Sequence, residues 1–178
     1  MRITVFISSP REDGNSDKLA AAFIAGAQCS SNEINIVTIR KCHINGCLGC
    51  EHCYEHHGEC IQQDDMQSIY SLLEKTEIIV LATPIYYQGF PSQLKAVIDR
   101  LYVTENRMFP IGGAILLATY ATPCTNMSTQ TISYFKCLLE YHEWENKGII
   151  VASGLDEKND IIGNVALDEA FNLGRELK

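Results

Sequence analysis

Arg2-Ile-Thr-Val-Phe-Ile-Ser-Ser-Pro-Arg-Glu-Asp-Gly-Asn-Ser-Asp-Lys-Leu19 opens the chain and decides how the rest is read. An apolar run, Ile3 to Ile7, stops in a polar loop, Ser8 to Ser16. A helical pattern starts at once behind it, with Leu19, Phe23 and Ala27 recurring every four residues. A strand, turn and helix in that order aim free backbone N–H groups and the positive end of a helix dipole at one spot. Ser8, Ser9, Asn15 and Ser16 add short hydrogen-bonding side chains, and Arg11 adds a guanidinium that can fork onto a phosphate. The segment has neither the G-x-x-x-x-G-K-[ST] of a nucleoside triphosphate loop nor the G-x-G-x-x-G of a dinucleotide turn. A phosphate cradle for a small terminal phosphate is expected. The plainer alternative is a capped helix without a ligand.

The 178 residues suit a single domain, 1–178, with a core of useful size. Hydrophobic content of 46% and charged content of 20% are ordinary for a globular chain. A net charge of −8 argues against nucleic acid or an anionic membrane surface as the main partner. No stretch approaches the ~18 to 20 apolar residues of a membrane span. A strand that begins at residue 2 leaves no room for a secretory leader, so a cytoplasmic location is expected.

Apolar runs alternate with amphipathic stretches throughout. Strands are expected at Ile3–Ser8, Glu33–Ile39, Glu77–Ala82, Gly113–Thr119 and Gly148–Ser153. Helices are expected at Asn15–Gln28, Asp65–Lys75, Ser92–Tyr102, Met127–Tyr141 and Asn164–Glu176. Ile78 to Ala82 and Ala114 to Ala118 are apolar on both faces, as strands covered by helices on both sides must be. Five strand–helix units with right-handed crossovers make an α/β doubly wound parallel sheet, with ligands beyond the carboxyl ends of its strands.

Three loops break the rhythm. After the third strand, Pro84-Ile85-Tyr86-Tyr87-Gln88-Gly89 offers flat apolar surface and backbone amides suited to a planar heteroaromatic ring. An apolar turn that merely caps the next helix through Ser92 is the alternative. After the fourth strand, Thr119 to Cys124 would close the same pocket from the far side. Between the second strand and second helix lie about 25 residues, roughly 40–64, far more than the ~2 to 6 usual for such a loop. This insertion holds Cys47, Cys50, Cys53 and Cys60, half of the chain's eight cysteines. Three thiolates spaced three apart can wrap one face of a four-iron, four-sulfur cubane, and a fourth completes it. Zinc, free thiols or disulfides are the other readings, zinc usually preferring two separated C-x-x-C pairs.

Ser9-Pro-Arg-x-x-Gly-Asn-Ser16 together with Pro84-Ile-Tyr-Tyr-x-Gly-x-Pro-Ser-x-Leu-Lys-x-x-Ile-Asp-Arg100 resembles the NAD(P)H-dependent FMN reductases of the flavodoxin-like superfamily. The match runs from residue 2 to about 120. The cysteine spacing looks like that of the iron–sulfur flavoproteins in the same superfamily. The resemblance implies a flavodoxin-like five-stranded sheet of order 2-1-3-4-5 flanked by helices. It implies FMN phosphate held by Ser9, Arg11, Asn15 and Ser16, and the flavin ring lying along Pro84, Ile85, Tyr86, Tyr87 and Gly89, with Thr119 opposite. No residue need act as nucleophile, because the flavin carries the chemistry.

The expected function is an FMN-dependent oxidoreductase. It would take electrons from NAD(P)H, bound transiently, or from another donor, and pass them to a small acceptor or through a [4Fe–4S] cluster. The rival expectation is an electron carrier between protein partners, its acidic surface docking on basic ones. A homodimer or homotetramer is implied by the resemblance.

Overall fold

The computed structural model describes residues 1–105 and 107–178. Five parallel strands, β1 (Arg2–Ile7), β2 (Glu33–Thr38), β3 (Ile78–Pro84), β4 (Gly113–Thr119) and β5 (Glu145–Ala152), form one sheet in the order β2-β1-β3-β4-β5. Helices α1 (Asn15–Cys29), α2 (His52–Glu55), α3 (Met66–Leu73), α4 (Ser92–Arg100), α5 (Thr129–Tyr141) and α6 (Val165–Glu176) connect and flank the strands. The flavodoxin-like order is thus the observed one. Among the described residues no helix is long and apolar enough to cross a membrane.

The alternation along β3 shows why both faces must be covered. Ile78, Val80 and Ala82 pack with Leu19, Phe23 and Ala170 on the α1/α6 side. Ile79 and Leu81 point the other way, into a core with Met66, Tyr70, Leu94, Val97 and Phe135 from α3, α4 and α5. With parallel strands all carboxyl ends lie on one edge. The chain leaves β1 toward β2 on one side and returns to β3 on the other, so the order reverses beside β1 and opens a crevice there.

Element boundaries differ from the expected ones where backbone geometry overrides apolar pattern. The expected helix over Ser92–Tyr102 ends at Arg100 and tightens into a 3₁₀ turn, Leu101–Glu105. The expected helix over Met127–Tyr141 is α5, and its expected start lies in a 3₁₀ turn, Thr125–Ser128. Strand β5 begins three residues before the expected Gly148, in polar Glu145-Asn146-Lys147, because ladder bonds to β4 continue there past a register shift. Ser92 does not cap α4. Pro91 holds the cap position and Ser92 lies in the first turn. The short helix α2, inside the cysteine insertion, has no signal in the periodicity.

Candidate functional site

A cleft of about 220 Å³ lies over the switch point. Its walls are Ser9, Arg11, Gly14, Asn15 and Ser16 after β1, Pro84, Ile85 and Tyr86 after β3, Thr119, Tyr120 and Ala121 after β4, and Leu155 and Asp156 after β5. The loops after the first, third and fourth strands, singled out in the sequence, therefore meet, and the loop after β5 joins them. Leu155 and Asp156 were not expected. Their position just past a buried parallel strand is the signal that could have found them, since that edge carries every other wall of the cleft.

The first wall is an open helix end. Gly14 is the N-cap of α1, and no side chain caps the helix. The first-turn N–H groups are left to an outside acceptor, where a Ser, Asp or Asn at the cap would have occupied one of them. A Cβ at Gly14 would meet protein only at ordinary contact, 3.5 Å from the Arg11 carbonyl and 3.7 Å from Ser9 Oγ. The bare cap therefore spares room in the cradle rather than relieving a clash. Ser9 Oγ is 3.2 Å from both the N–H and the carbonyl of Arg11, which curls the loop. Ser16 Oγ lies 2.6 Å from Thr119 Oγ1, both buried, fastening α1 to the end of β4.

Charge is arranged to leave one cation free. Asp13 pairs with Lys18 at 2.7 Å and Lys158 at 3.3 Å. Hydrogen bonds from these two lysines hold the Asp13 carboxyl below the usual carboxylate range. Asp17 pairs with Arg40 at 2.9 Å, and the same guanidinium donates to the Ser9 carbonyl at 3.2 Å. Arg11 is exposed and has no ion-pair partner among the described residues. With Asp13 and Asp17 paired and the helix end open, the chemistry around Arg11 fits a dianionic phosphate.

Asn15 plays a part the sequence did not reveal. Its Nδ2 donates to the carbonyls of Glu157 (2.9 Å) and Leu155 (3.5 Å), and its Oδ1 accepts from the N–H groups of Asn159 (3.1 Å) and Ile161 (3.3 Å). The amide is saturated by the β5–α6 loop, so Asn15 has only its backbone N–H for a ligand.

The second wall is a tight turn. Tyr86 and Gly89 exchange two backbone hydrogen bonds of 3.0 Å, with Tyr87 (φ 47°) and Gln88 (φ 63°) between them. Positive φ at both central residues is the mirror-image hairpin turn that Asn-Gly favours, and non-glycine residues there cost about 1–2 kcal/mol each. Thr131 of α5, fully buried, pins the turn by donating to the Gln88 carbonyl at 2.9 Å. Pro84, Ile85 and Tyr86 line the cleft, whereas Tyr87 projects wholly into solvent and Gly89 is not among the lining residues. Ile85, Tyr86 and Gly89 use their N–H groups inside the protein. Among the described residues no backbone carbonyl accepts from the N–H groups of Tyr87 or Gln88.

The cysteine insertion lies beside this cleft as a separate structure. Cys47 and Cys50 are exposed, Cys53 and Cys60 half-buried, and all four are free thiols. Burial pushes the Cys53 thiol up, and Cys60, Cys47 and Cys50 act in the same direction. Gly49 N–H donates to Cys47 Sγ at 3.4 Å, the kind of contact that supports a metal-bound thiolate. Among the described residues no three His, Cys, Asp or Glu side chains stand close enough to share a metal ion.

At the foot of the insertion stands a buried ion pair absent from the sequence reading. Arg100 forks onto Asp64 at 2.9 and 3.2 Å, the two side chains being 1% and 3% exposed. Only the tertiary fold brings them together.

The family model for NADPH-dependent FMN reductases matches residues 1–136. The chain is similar to a protein named iron-sulfur flavoprotein from Archaeoglobus fulgidus, 37% identical over 101 residues, 57% of this chain and 46% of that relative. An iron-sulfur flavoprotein from Methanosarcina thermophila is 26% identical over 97% of this chain and 88% of its own. Among solved structures, the NAD(P)H:quinone oxidoreductase from Methanothermobacter marburgensis superposes with a TM-score of 0.82 at 16% identity, covering 100% of this chain and 96% of that one. At that identity it shows the shared fold. By the match over its first 136 residues, which include every wall of the cleft except Leu155 and Asp156, the chain belongs to the NADPH-dependent FMN reductase family of oxidoreductases.

Proposed function

We propose that this protein binds FMN in the switch-point cleft and oxidises NAD(P)H, passing the electrons to a small acceptor. The observation that carries the reading is the uncapped N-terminus of α1 beside an unpaired Arg11, in a cleft whose far wall is a pinned, strained turn. Arg11 forks onto the phosphate, Ser9 and Ser16 offer hydroxyls, and Asn15 and Ser16 offer backbone N–H groups. Thr119 holds the Ser16 hydroxyl in place. Pro84, Ile85 and Tyr86 lie along the ring, and the turn closed by Gly89 presents the N–H groups of Tyr87 and Gln88 at its edge. FMN, when bound, supplies the hydride and electron chemistry. The nicotinamide needs no motif of its own if it only stacks on the exposed ring.

The four-cysteine segment is proposed to hold a [4Fe–4S] cluster through Cys47, Cys50, Cys53 and Cys60, as an exit for single electrons. Support comes from the Cys47-x2-Cys50-x2-Cys53-x6-Cys60 spacing and from the names of the relatives. A carrier between protein partners is the second reading, favoured by the exposed Leu48 and Tyr54 around the cysteines. A homodimer or homotetramer accords with exposed Tyr86 and Tyr87 at the cleft mouth.

The test is anaerobic purification followed by a visible spectrum, iron and acid-labile sulfide analysis, and steady-state oxidation of NADH and NADPH with a dye acceptor. Bound FMN with turnover supports the reductase. Bound FMN without turnover supports the carrier. Protein that takes up no FMN refutes both readings, and stoichiometric FMN without iron and sulfide removes the cluster alone.

A further inference from the structure

Arg40 lies in the 3₁₀ turn Ile39–Lys41 that follows β2, yet its side chain is spent on the loop after β1. Nη1 donates to the Ser9 carbonyl at 3.2 Å and to Asp17 Oδ1 at 3.2 Å, and Nη2 lies 2.9 Å from Asp17 Oδ2. Asp17 Oδ2 in turn accepts from the Asp13 N–H at 2.9 Å. Ser9 and Asp13 stand on either side of Arg11, so one ion pair holds both shoulders of the phosphate loop. The pair is mostly buried, the Arg40 and Asp17 side chains being 18% and 14% exposed. Neither residue lines the cleft. The brace stands behind the cradle.

Two liabilities of the cradle meet in this brace. Asp17 belongs to the first turn of α1, the same helix end that would take an anion. An unpaired carboxylate there repels a phosphate, and Arg40 cancels that charge while Arg11 stays free of any ion pair. The second liability is the carbonyl of Ser9, a residue buried in the wall of the cleft. Left without a donor, its oxygen is a buried acceptor with a partial negative charge beside the anion site. Arg40 commits it to a donor outside the cleft walls. The guanidinium keeps this place although its Nε is buried with no hydrogen-bond partner, a state that costs the fold free energy.

We propose that Arg40 is a positioning residue of the phosphate cradle, fixing the Ser9 carbonyl directly and the Asp13 N–H through Asp17, and neutralising Asp17 at the helix end. It thereby selects a flavin that carries a terminal phosphate over the same flavin without one. The proposal rests on the FMN reading above and adds a determinant of specificity to it. Arg11 acts on the phosphate directly, whereas Arg40 acts through Ser9 and Asp17.

The experiment titrates the full-length protein, stripped of flavin, with FMN and with riboflavin, which has the same ring and ribityl chain but no phosphate. Wild type should prefer FMN by about tenfold or more. Arg40→Gln should weaken FMN by about tenfold or more and riboflavin by less than about twofold, a split that general loosening of the fold would not produce. Arg40→Lys should fall between, because an ammonium keeps the charge and loses the fork. Adding Asp17→Asn to Arg40→Gln should recover FMN affinity by about threefold or more, since it removes the carboxylate left unpaired. A folded Arg40→Gln protein that keeps the wild-type preference, or weakens on both flavins alike, overturns the proposal. If Arg40→Gln does not fold, Arg40→Lys decides: a reduced preference for FMN supports the proposal and the wild-type preference overturns it. A double variant no better than Arg40→Gln overturns the charge-neutralising role. Wild type that binds both flavins equally overturns the selection and leaves flavin binding standing, whereas wild type that binds neither refutes the FMN reading as well.

Discussion

At the scale of single residues, Arg11 and Asn15 are neighbours with opposite roles. Arg11 is exposed and unpaired, so truncation removes a charge-assisted phosphate contact and almost no packing. Arg11→Ala should weaken FMN binding by ~1.5 to 3 kcal/mol, roughly 10- to 150-fold in Kd, with the melting temperature of the flavin-free protein unchanged. Fluorescence titration and thermal unfolding check the two halves, and an affinity within twofold of wild type would remove Arg11 from the site. Asn15 instead holds four backbone groups of the β5–α6 loop. Asn15→Ala should cost about 2 kcal/mol of unfolding free energy even without FMN, since each lost bond is worth about 0.5–1.5 kcal/mol and water recovers part. Urea unfolding of the flavin-free protein measures it, and an unchanged midpoint would contradict the clamp.

At the scale of elements, two contacts set the frame around the site. Helices α1 and α6 cross through a notch made by Gly26 and Gly174. A Cβ on Gly26 would fall 1.9 Å from the Phe171 carbonyl oxygen, and one on Gly174 would fall 2.3 Å from that of Phe23. Backbone cannot yield as a side-chain tip can. Gly26→Ala should therefore destabilise by about 1–3 kcal/mol and lower the melting temperature by about 2 to 12 °C. The second contact is the Tyr86–Gly89 turn, whose two central residues bear backbone strain without glycine. Replacing Tyr87 and Gln88 together by Asn and Gly should stabilise the protein by about 1–2 kcal/mol. The same change should reduce FMN affinity or turnover, because strain persists where the surrounding structure holds it for a use. A variant that is both more stable and fully active would show that the turn serves only the chain reversal.

At the scale of the whole molecule, the cysteine segment is joined to the sheet core by a charge pair, and that makes its attachment depend on pH. Burial, the largest single influence on Asp64, acts to raise its pKa. The Arg100 hydrogen bonds and the N–H groups of Asn45 and Met66 outweigh it, so the carboxyl is held below the usual range. A folded-state pKa below the unfolded value of about 3.9 means the stabilisation is fully present above that value. It is lost as pH falls through the folded-state pKa. The stability difference between wild type and Asp64→Asn should stay constant from pH 7 to about 5 and shrink below about pH 4. Urea midpoints across that range measure it, and a difference that persists undiminished to pH 3 would mean Asp64 is not the titrating tie.

Much of this arrangement is legible in the sequence. Apolar runs without alternation announced parallel strands covered on both faces, and abrupt changes to Gly, Pro, Ser and Tyr marked the loops at their carboxyl ends. Those signals are local, a few residues long, and depend on backbone geometry and burial alone. The cradle, the tyrosine loop and the cysteine insertion were visible for that reason. Hidden from it were the fourth wall, Leu155 and Asp156, the use of the Asn15 side chain, the glycine notch between α1 and α6, and the Asp64–Arg100 tie. Each joins positions from 36 to about 150 residues apart. Which polar groups meet over such separations is settled when strand order and helix packing bring them into one low-dielectric place, where an unpaired donor or charge is costly. The sequence determined the layers and the chemistry available at their edge; only the tertiary structure decided which of those groups are spent holding the fold and which remain for a ligand.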